Sequence, residues 1–291
     1  MMEFLTILIV LGLLQLWGSG GPVQQDGWFK NMAQRIANTV LKLSWLRLLL
    51  IIGIPVVVVM FFQMLFDSVL LGLLSLLLNV GVLLYSLGRG DFSENIQRYL
   101  SSWNHGNFES AYEQALQIGN FEPSDEISDH ISLHQHVRSA ILYGGFERWF
   151  SVVFWFLLLG PAGAIFYRLT YLCSRNDILA TPDRQFALQI MYFLDWIPVR
   201  LLAICFSLTG NFVNSFNHCW RIIFEPVATI KVLESCSLAA ISSSDEQKSY
   251  PEDQQQFIKY GREELLALQS LLSRSIVCWL VIIAVITLAS G

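Results

Sequence analysis

Charge is what this sequence has least of. Only 14% of its 291 residues are Asp, Glu, Lys or Arg, where a soluble domain carries about a quarter. That deficit, set beside a hydrophobic content of 54% and a mean hydropathy of +0.51, excludes an ordinary soluble fold and points to an integral membrane protein. The net charge of −5 supplies no basic face, so nucleic acid is excluded as a partner. The five cysteines (Cys173, Cys205, Cys219, Cys236 and Cys278) contain no Cys-x-x-Cys pair, and their odd number gives no disulfide framework. Cysteines scattered through apolar sequence read as small core residues. Also missing are the Gly-x-x-x-x-Gly-Lys-Ser/Thr and Gly-x-Gly-x-x-Gly loops that cradle nucleotide phosphates.

What the chain does have is long apolar runs. Six stand out, at about 4–18, 46–66, 68–87, 149–172, 186–208 and 275–290. A spanning helix needs about 20 apolar residues, so the first and last runs are short for a full crossing. The start of the chain carries Glu3 and no Lys or Arg ahead of Leu5–Leu14. A signal peptide begins with positive charge, so this run is expected to be a retained helix. Fourteen of the 18 Lys and Arg residues fall in the stretches 19–47, 88–148 and 209–274. Alternate spans put these on one side of the membrane, which makes it the cytoplasmic side.

The fold class expected is therefore all-α, a polytopic helical membrane protein with about six spans, and the lipid bilayer is its first partner. The divisions expected are three N-terminal spans with a basic loop at 19–47 (residues 1–87), a cytoplasmic helical module (88–148), two broken spans (149–208), a second cytoplasmic helical region (209–274) and a last span (275–291). In the first module, Ile96, Tyr99, Leu100 and Trp103 recur on one helical face, and Phe108, Ala111, Tyr112, Ala115 and Leu116 resume the pattern after Asn104-His105-Gly106-Asn107. This is a helix hairpin. A single such unit cannot bury its own face, so it either caps the bundle or docks a protein partner. In the second region, Ser242–Pro251 reads as an exposed loop. Phe257, Tyr260, Leu265, Leu268 and Leu272 then form an amphipathic stripe leading into the last span.

Three places carry chemistry-bearing residues. His130 and His134 share a helix face beside Asp129 and His136, the spacing of a zinc-binding pair, but the intervening residues supply no general base. They are read as solvated helix residues, with a weak metal site as the alternative. Gly88-Arg89-Gly90-Asp91 lies where the third span ends, either as a tight exit turn or as a cradle in which backbone N–H groups and Arg89 meet an anion.

The strongest constellation sits in the fourth and fifth apolar runs. The fourth holds Gly160, Pro161 and Gly163, which break helices, followed by Tyr167 and Arg168; the fifth holds Asp195, Pro198 and Arg200. Broken helices and charge persist at membrane depth only where protein or a wet cavity covers them, and they commonly mark binding sites. The alternatives are an ion pair that fixes helix register, with Arg168 and Arg200 sharing Asp195, or a pocket whose surplus positive charge receives a carboxylate or phosphate.

The runs Phe154-Trp155, Gly160-Pro161-Ala162-Gly163-Ala164, Tyr167-Arg168 and Asp195-Trp196-Ile197-Pro198-Val199-Arg200 resemble the CobD/CbiB membrane enzymes of cobalamin biosynthesis. They resemble more closely the related AmpE family, in which a Gly-Arg-x-Asp segment, here Gly88 to Asp91, also occurs. Resemblance to the enzymes implies ATP-dependent amide ligation, as adenosylcobinamide-phosphate synthase performs. However, this chain has Tyr143-Gly-Gly-Phe-Glu-Arg-Trp149, Tyr171, Ser174, Met191 and Tyr192 where those enzymes carry acids and amides that hold Mg²⁺ and phosphates. The resemblance to AmpE implies instead a bacterial inner-membrane protein that regulates β-lactamase induction in connection with cell-wall recycling. On that reading catalysis is not expected, transport is a weaker alternative, and no cofactor is specified. An anionic small molecule is expected at Arg168, Arg200, Asp195, Tyr167, Gly160, Gly163, Arg89 and Asp91.

Overall fold

The computed structural model describes residues 2–17, 24–38, 43–66, 72–88, 92–118, 121, 127, 129–175, 179–242, 251 and 253–290. The described residues contain helices and no strand. In chain order these are α1 (Met2–Trp17), α2 (Gly27–Ala37), α3 (Ser44–Phe66), α4 (Leu73–Ser86), α5 (Phe92–Asn104), α6 (Phe108–Ala115) and α7 (His130–Gly145). A π-helical turn at Phe146–Ser151 leads into α8 (Val152–Ser174), followed by α9 (Thr181–Thr209), α10 (Phe212–Ile223), α11 (Thr229–Ile241) and α12 (Gln254–Ser290). Four continuous helices, within 44–66, 130–174, 181–209 and 254–289, are long and apolar enough to cross a membrane, and α1 and α4 are shorter apolar helices. The all-α membrane class read from composition holds. Arg89, Gly90, Asp91 and most of the Ser242–Pro251 loop lie outside the described residues.

The chain forms two compact units: residues 1–90, 148–198 and 284–291 make one, and 91–147 and 199–283 the other. In the first, α8 is the central helix. It packs against α3, α4 and α1, and from Gly160 to Thr170 every residue except Phe166 is buried. Its core joins Phe29 and Ala33 of the amphipathic α2 to Leu48, Ile51 and Val59 of α3, Val82 and Tyr85 of α4, and Ile165, Leu169 and Cys173 of α8.

The start of α9 is fixed by charge. Arg47 donates to the fully buried Asp183 at 2.9 Å, and Arg184 Nε donates to the Ser174 carbonyl at 3.0 Å. Asp26 accepts a 3.1 Å bond from the Tyr85 hydroxyl. Each bond satisfies a polar group that lipid cannot solvate.

In the second unit, α5 and α6 form a hairpin whose second helix is capped by Asn107, its side chain accepting from Ser110 N–H at 3.0 Å. The apolar face of this hairpin is covered from within the chain. Trp103 is fully buried, stacks on Tyr99, meets Phe257 of α12 edge-on, and donates its indole N–H to the Ile258 carbonyl at 3.0 Å. Burial also holds the Tyr99 hydroxyl well above its ordinary pKa, so it stays protonated. The start of α7 is a capping box: the Asp129 side chain accepts from Ser132 N–H at 2.7 Å, and Ser132 Oγ accepts from Asp129 N–H at 3.2 Å. These bonds lower the Asp129 pKa, so the exposed cap is intact at neutral pH and weakens as pH falls through the carboxylate range.

Two consequences are measurable. Replacing Asp129 by Ala removes the cap at a cost of about 1 kcal/mol, seen as faster amide exchange at 130–133. A Cβ at Gly163 would stand 2.2 Å from the Trp155 carbonyl oxygen, whereas one at Gly81 of α4 meets nothing within 4 Å. Gly163→Ala should therefore lower the melting temperature of the detergent-solubilised protein sharply. Gly81→Ala should leave it unchanged or raise it, by up to about 1 kcal/mol of helix propensity.

Candidate functional site

The fourth apolar run is a helix with one backbone residue out of line. Gly160 has φ 65° and ψ −155°, a conformation open to glycine and costly for any residue with a Cβ. Pro161 follows as the first residue of the second half, where its missing N–H would have had no helical partner. The bend brings Gly163 against the Trp155 carbonyl, which is why that position is also glycine.

At Pro198, by contrast, α9 runs on as one helix; the proline interrupts its hydrogen bonding rather than its path. A proline at 198 cannot donate to the carbonyl of residue 194. That carbonyl accepts instead from the Trp155 indole N–H, at 3.1 Å. One tryptophan thus supports both irregularities: its carbonyl lies under Gly163, and its side chain satisfies the acceptor that Pro198 leaves.

Below these features lies a cluster of buried polar groups. Tyr167 is fully buried and donates its hydroxyl to Asp195 Oδ1 at 2.8 Å; Asp195 is itself 2% exposed. Arg168 is 5% exposed, and its guanidinium carbon lies 5.2 Å from the centroid of the Tyr171 ring, a cation–π distance. The structure therefore brings Tyr167, Asp195 and Arg168 into the same apolar unit, with Gly160 and Gly163 in the bend above them. Gly88, which precedes the undescribed Arg89, lies on the Arg148 side chain: a Cβ there would be 2.0 Å from Arg148 Cγ.

Arg200 belongs to the second unit and is engaged there. Its Nε donates to the Ile223 carbonyl at 2.5 Å and its Nη2 to the Glu225 carbonyl at 3.0 Å. It thus caps the C-terminal end of α10, where carbonyls lack helical partners and the helix dipole favours a cation. Its spacing from Asp195 in the sequence gave no sign of a partner 23 residues downstream.

The histidines of α7 are packed among aromatic rings. His130 stacks on Phe108 with centroids 5.2 Å apart, and His134 is fully buried beside Trp103 and Phe257. Glu264 of α12 stands 3.4 Å from His134 Nε2 and accepts from Arg138 at 3.1 Å. His136 pairs with the Ser132 carbonyl. Among the described residues no group of three or more His, Cys, Asp or Glu could hold a metal ion.

Sequence reading missed a polar cleft of about 640 Å³ between α7, α10 and α11. Arg138, His218, Glu225, Lys231 and Glu234 bring both signs of charge to its lining. Its residues are scattered over a hundred positions, and only the pairing of α10 with α11 assembles them.

The fold and these buried charges define a helical integral membrane protein with a polar centre among its spans. Residues 2–256 match the family described as "Regulatory signalling modulator protein AmpE". The chain belongs to the AmpE family. Among curated proteins it is 23% identical, over 157 residues, to "Cobalamin biosynthesis protein CobD" of Chromobacterium violaceum; the match covers 52% of this chain and 49% of that protein, about half the relative's length. No solved structure matches the chain.

Two substitutions probe the geometry. Tyr167→Phe deletes a donor to a buried carboxylate and is expected to cost about 1.5–3 kcal/mol. Glu264→Ala removes the acceptor shared by His134 and Arg138 and is expected to cost about 3–5 kcal/mol. Thermal unfolding in detergent measures both; a change below 0.5 kcal/mol (about the scatter of an inert surface substitution) would mean the pair contributes nothing.

Proposed function

We propose that this protein is an inner-membrane regulator that binds an anionic small molecule at Arg168 and couples its occupancy to β-lactamase induction and cell-wall recycling. The observation that carries the reading is the burial of Arg168, at 5% exposure, beside a helix broken at Gly160. An arginine in an apolar unit is costly, and such residues mark functional sites in membrane proteins. Membership of a signalling-modulator family supports a regulatory rather than a metabolic outcome. Tyr167 and Asp195 orient the site, and Gly160 and Gly163 allow its bend. Arg200 contributes chiefly by holding α10, so its loss acts through the fold. The large loops, including 88–148, face the cytoplasm on this reading, where a protein partner would receive the signal.

The similarity to CobD favours a second reading, a membrane ligase. Against it stand Tyr171, Ser174, Met191 and Tyr192, which offer no carboxylate to Mg²⁺. Accordingly, ATP with Mg²⁺ should not raise the melting temperature of the purified protein; a rise of several degrees would revive the enzyme.

The regulatory reading is tested by mass spectrometry of small anions that co-purify with the wild type and with Arg168→Ala, alongside β-lactamase induction in cells. The variant should lose the bound anion at least tenfold and alter induction while remaining folded. Equal anion content and unchanged induction would overturn the proposal.

A further inference from the structure

Among the described residues of its own unit, nothing covers one face of α10. Phe212, Phe216, Trp220 and Phe224 recur every four residues and are 49%, 38%, 50% and 71% exposed. Their rings touch in succession, with centroids 4.9, 5.9 and 5.4 Å apart, and Val213 beside them is 83% exposed. A continuous aromatic ridge of this kind facing water would be a liability.

Its surroundings show what meets it. Only Gly210 and Asn211 separate α10 from α9, a helix of spanning length and composition. The reversal is tight: Asn211 N–H donates to the Ala240 carbonyl at 2.7 Å, and a Cβ at Gly210 would lie 2.6 Å from that same oxygen. From there α10 runs back along α9, because its far end is the one that Arg200 caps. Arg200 lies nine residues before Thr209, about 13 Å along a helix at 1.5 Å per residue.

The level of this stretch is set by α12. The Thr209 and Ser275 hydroxyls lie 3.1 Å apart, and beyond Ser275 the outward residues of α12 are apolar, with Val277 at 59% and Val281 at 57% exposure. On α9 itself, Leu208 is 55% and Leu201 38% exposed. The ridge therefore continues the apolar outer surface of two spanning helices.

The remaining faces of α10 fit such a position. Ser215, Cys219 and Ile223 are buried against the unit. Asn214 and His218 line the polar cleft, and Arg221, exposed on the edge beyond the ridge, can extend its stem toward phosphates.

We infer that α10 is a lipid-facing helix that runs back along α9, its Phe212–Phe216–Trp220–Phe224 ridge lying among lipid acyl chains and its Asn214–His218 face turned to the cleft. Its continuity with the exposed apolar residues of α9 and α12 is what commits it to lipid.

The test uses the full-length protein in phospholipid membranes, with benzoyl-phenylalanine in place of Phe216 or, separately, Phe224. Irradiation should give phospholipid adducts at both positions and far fewer when the probe replaces Lys231, on the cleft side. Adducts to a second copy, or none to lipid, would overturn the inference. A second measurement does not depend on photochemistry. Four of the five native cysteines are buried, so a nitroxide on Phe224→Cys can be read against a labelled wild-type blank. Collisions with oxygen should exceed those with a water-soluble nickel chelate severalfold, and the reverse order would place the ridge in water.

Discussion

Lipid offers no hydrogen bonds, and this requirement governs the irregular parts of the molecule. Every carbonyl or N–H released by a proline, a glycine bend or a helix end must find its partner in the chain. The bond from the Trp155 indole to the Leu194 carbonyl is the clearest case. It closes the gap that Pro198 opens, and it does so from the helix that bends at Gly160. Without it, an unsatisfied acceptor would stand in an apolar unit at a cost of about 1–3 kcal/mol. The Arg200 cap on α10 answers the same demand at a helix end. So do the Arg47–Asp183 pair and the Gln24 amide, which donates to the Leu84 carbonyl at 2.9 Å.

Buried charge follows a related rule in the second unit. Arg138 and His134 converge on Glu264, and the Ser139 hydroxyl bonds to Glu234 nearby. Such a network gains little over apolar packing of equal volume, but the loss of one member is severe. Its members lie on three helices, with His134, Arg138 and Ser139 on α7, Glu234 on α11 and Glu264 on α12. The aromatic shell of Trp103, Phe257 and His134 then fills the space beside it.

Much of this was legible before any coordinates. The apolar runs located the spanning helices, because length and composition suffice to identify them. The periodicity of Ile96, Tyr99, Leu100 and Trp103 gave the α5 face, and Gly160 with Gly163 located the bend in α8. What the sequence hid were pairings over distance. The run Asp195–Arg200 shows an acid and a base five residues apart, but it gives no sign that Asp195 accepts from Tyr167 or that Arg200 donates to the carbonyls of residues 223 and 225. The His130–His134 pair reads as solvated helix residues, but His134 is fully buried beside Trp103 and Phe257, because periodicity carries no information on what fills the facing surface. The second helical region carries an aromatic ridge that the sequence did not single out, because Phe212, Phe216, Trp220 and Phe224 recur every four residues with polar residues between them.

The Arg200 cap also has a bearing on the order of events during synthesis. The carbonyls that hold this guanidinium lie 23 and 25 residues later in the chain. When α9 first leaves the ribosome, its arginine is therefore a charge with its acceptors still unmade. The helix cannot settle into its final setting until the turn after α10 has followed it. A chain stopped between Arg200 and Ile223 would thus present an uncapped cation to the translocation machinery.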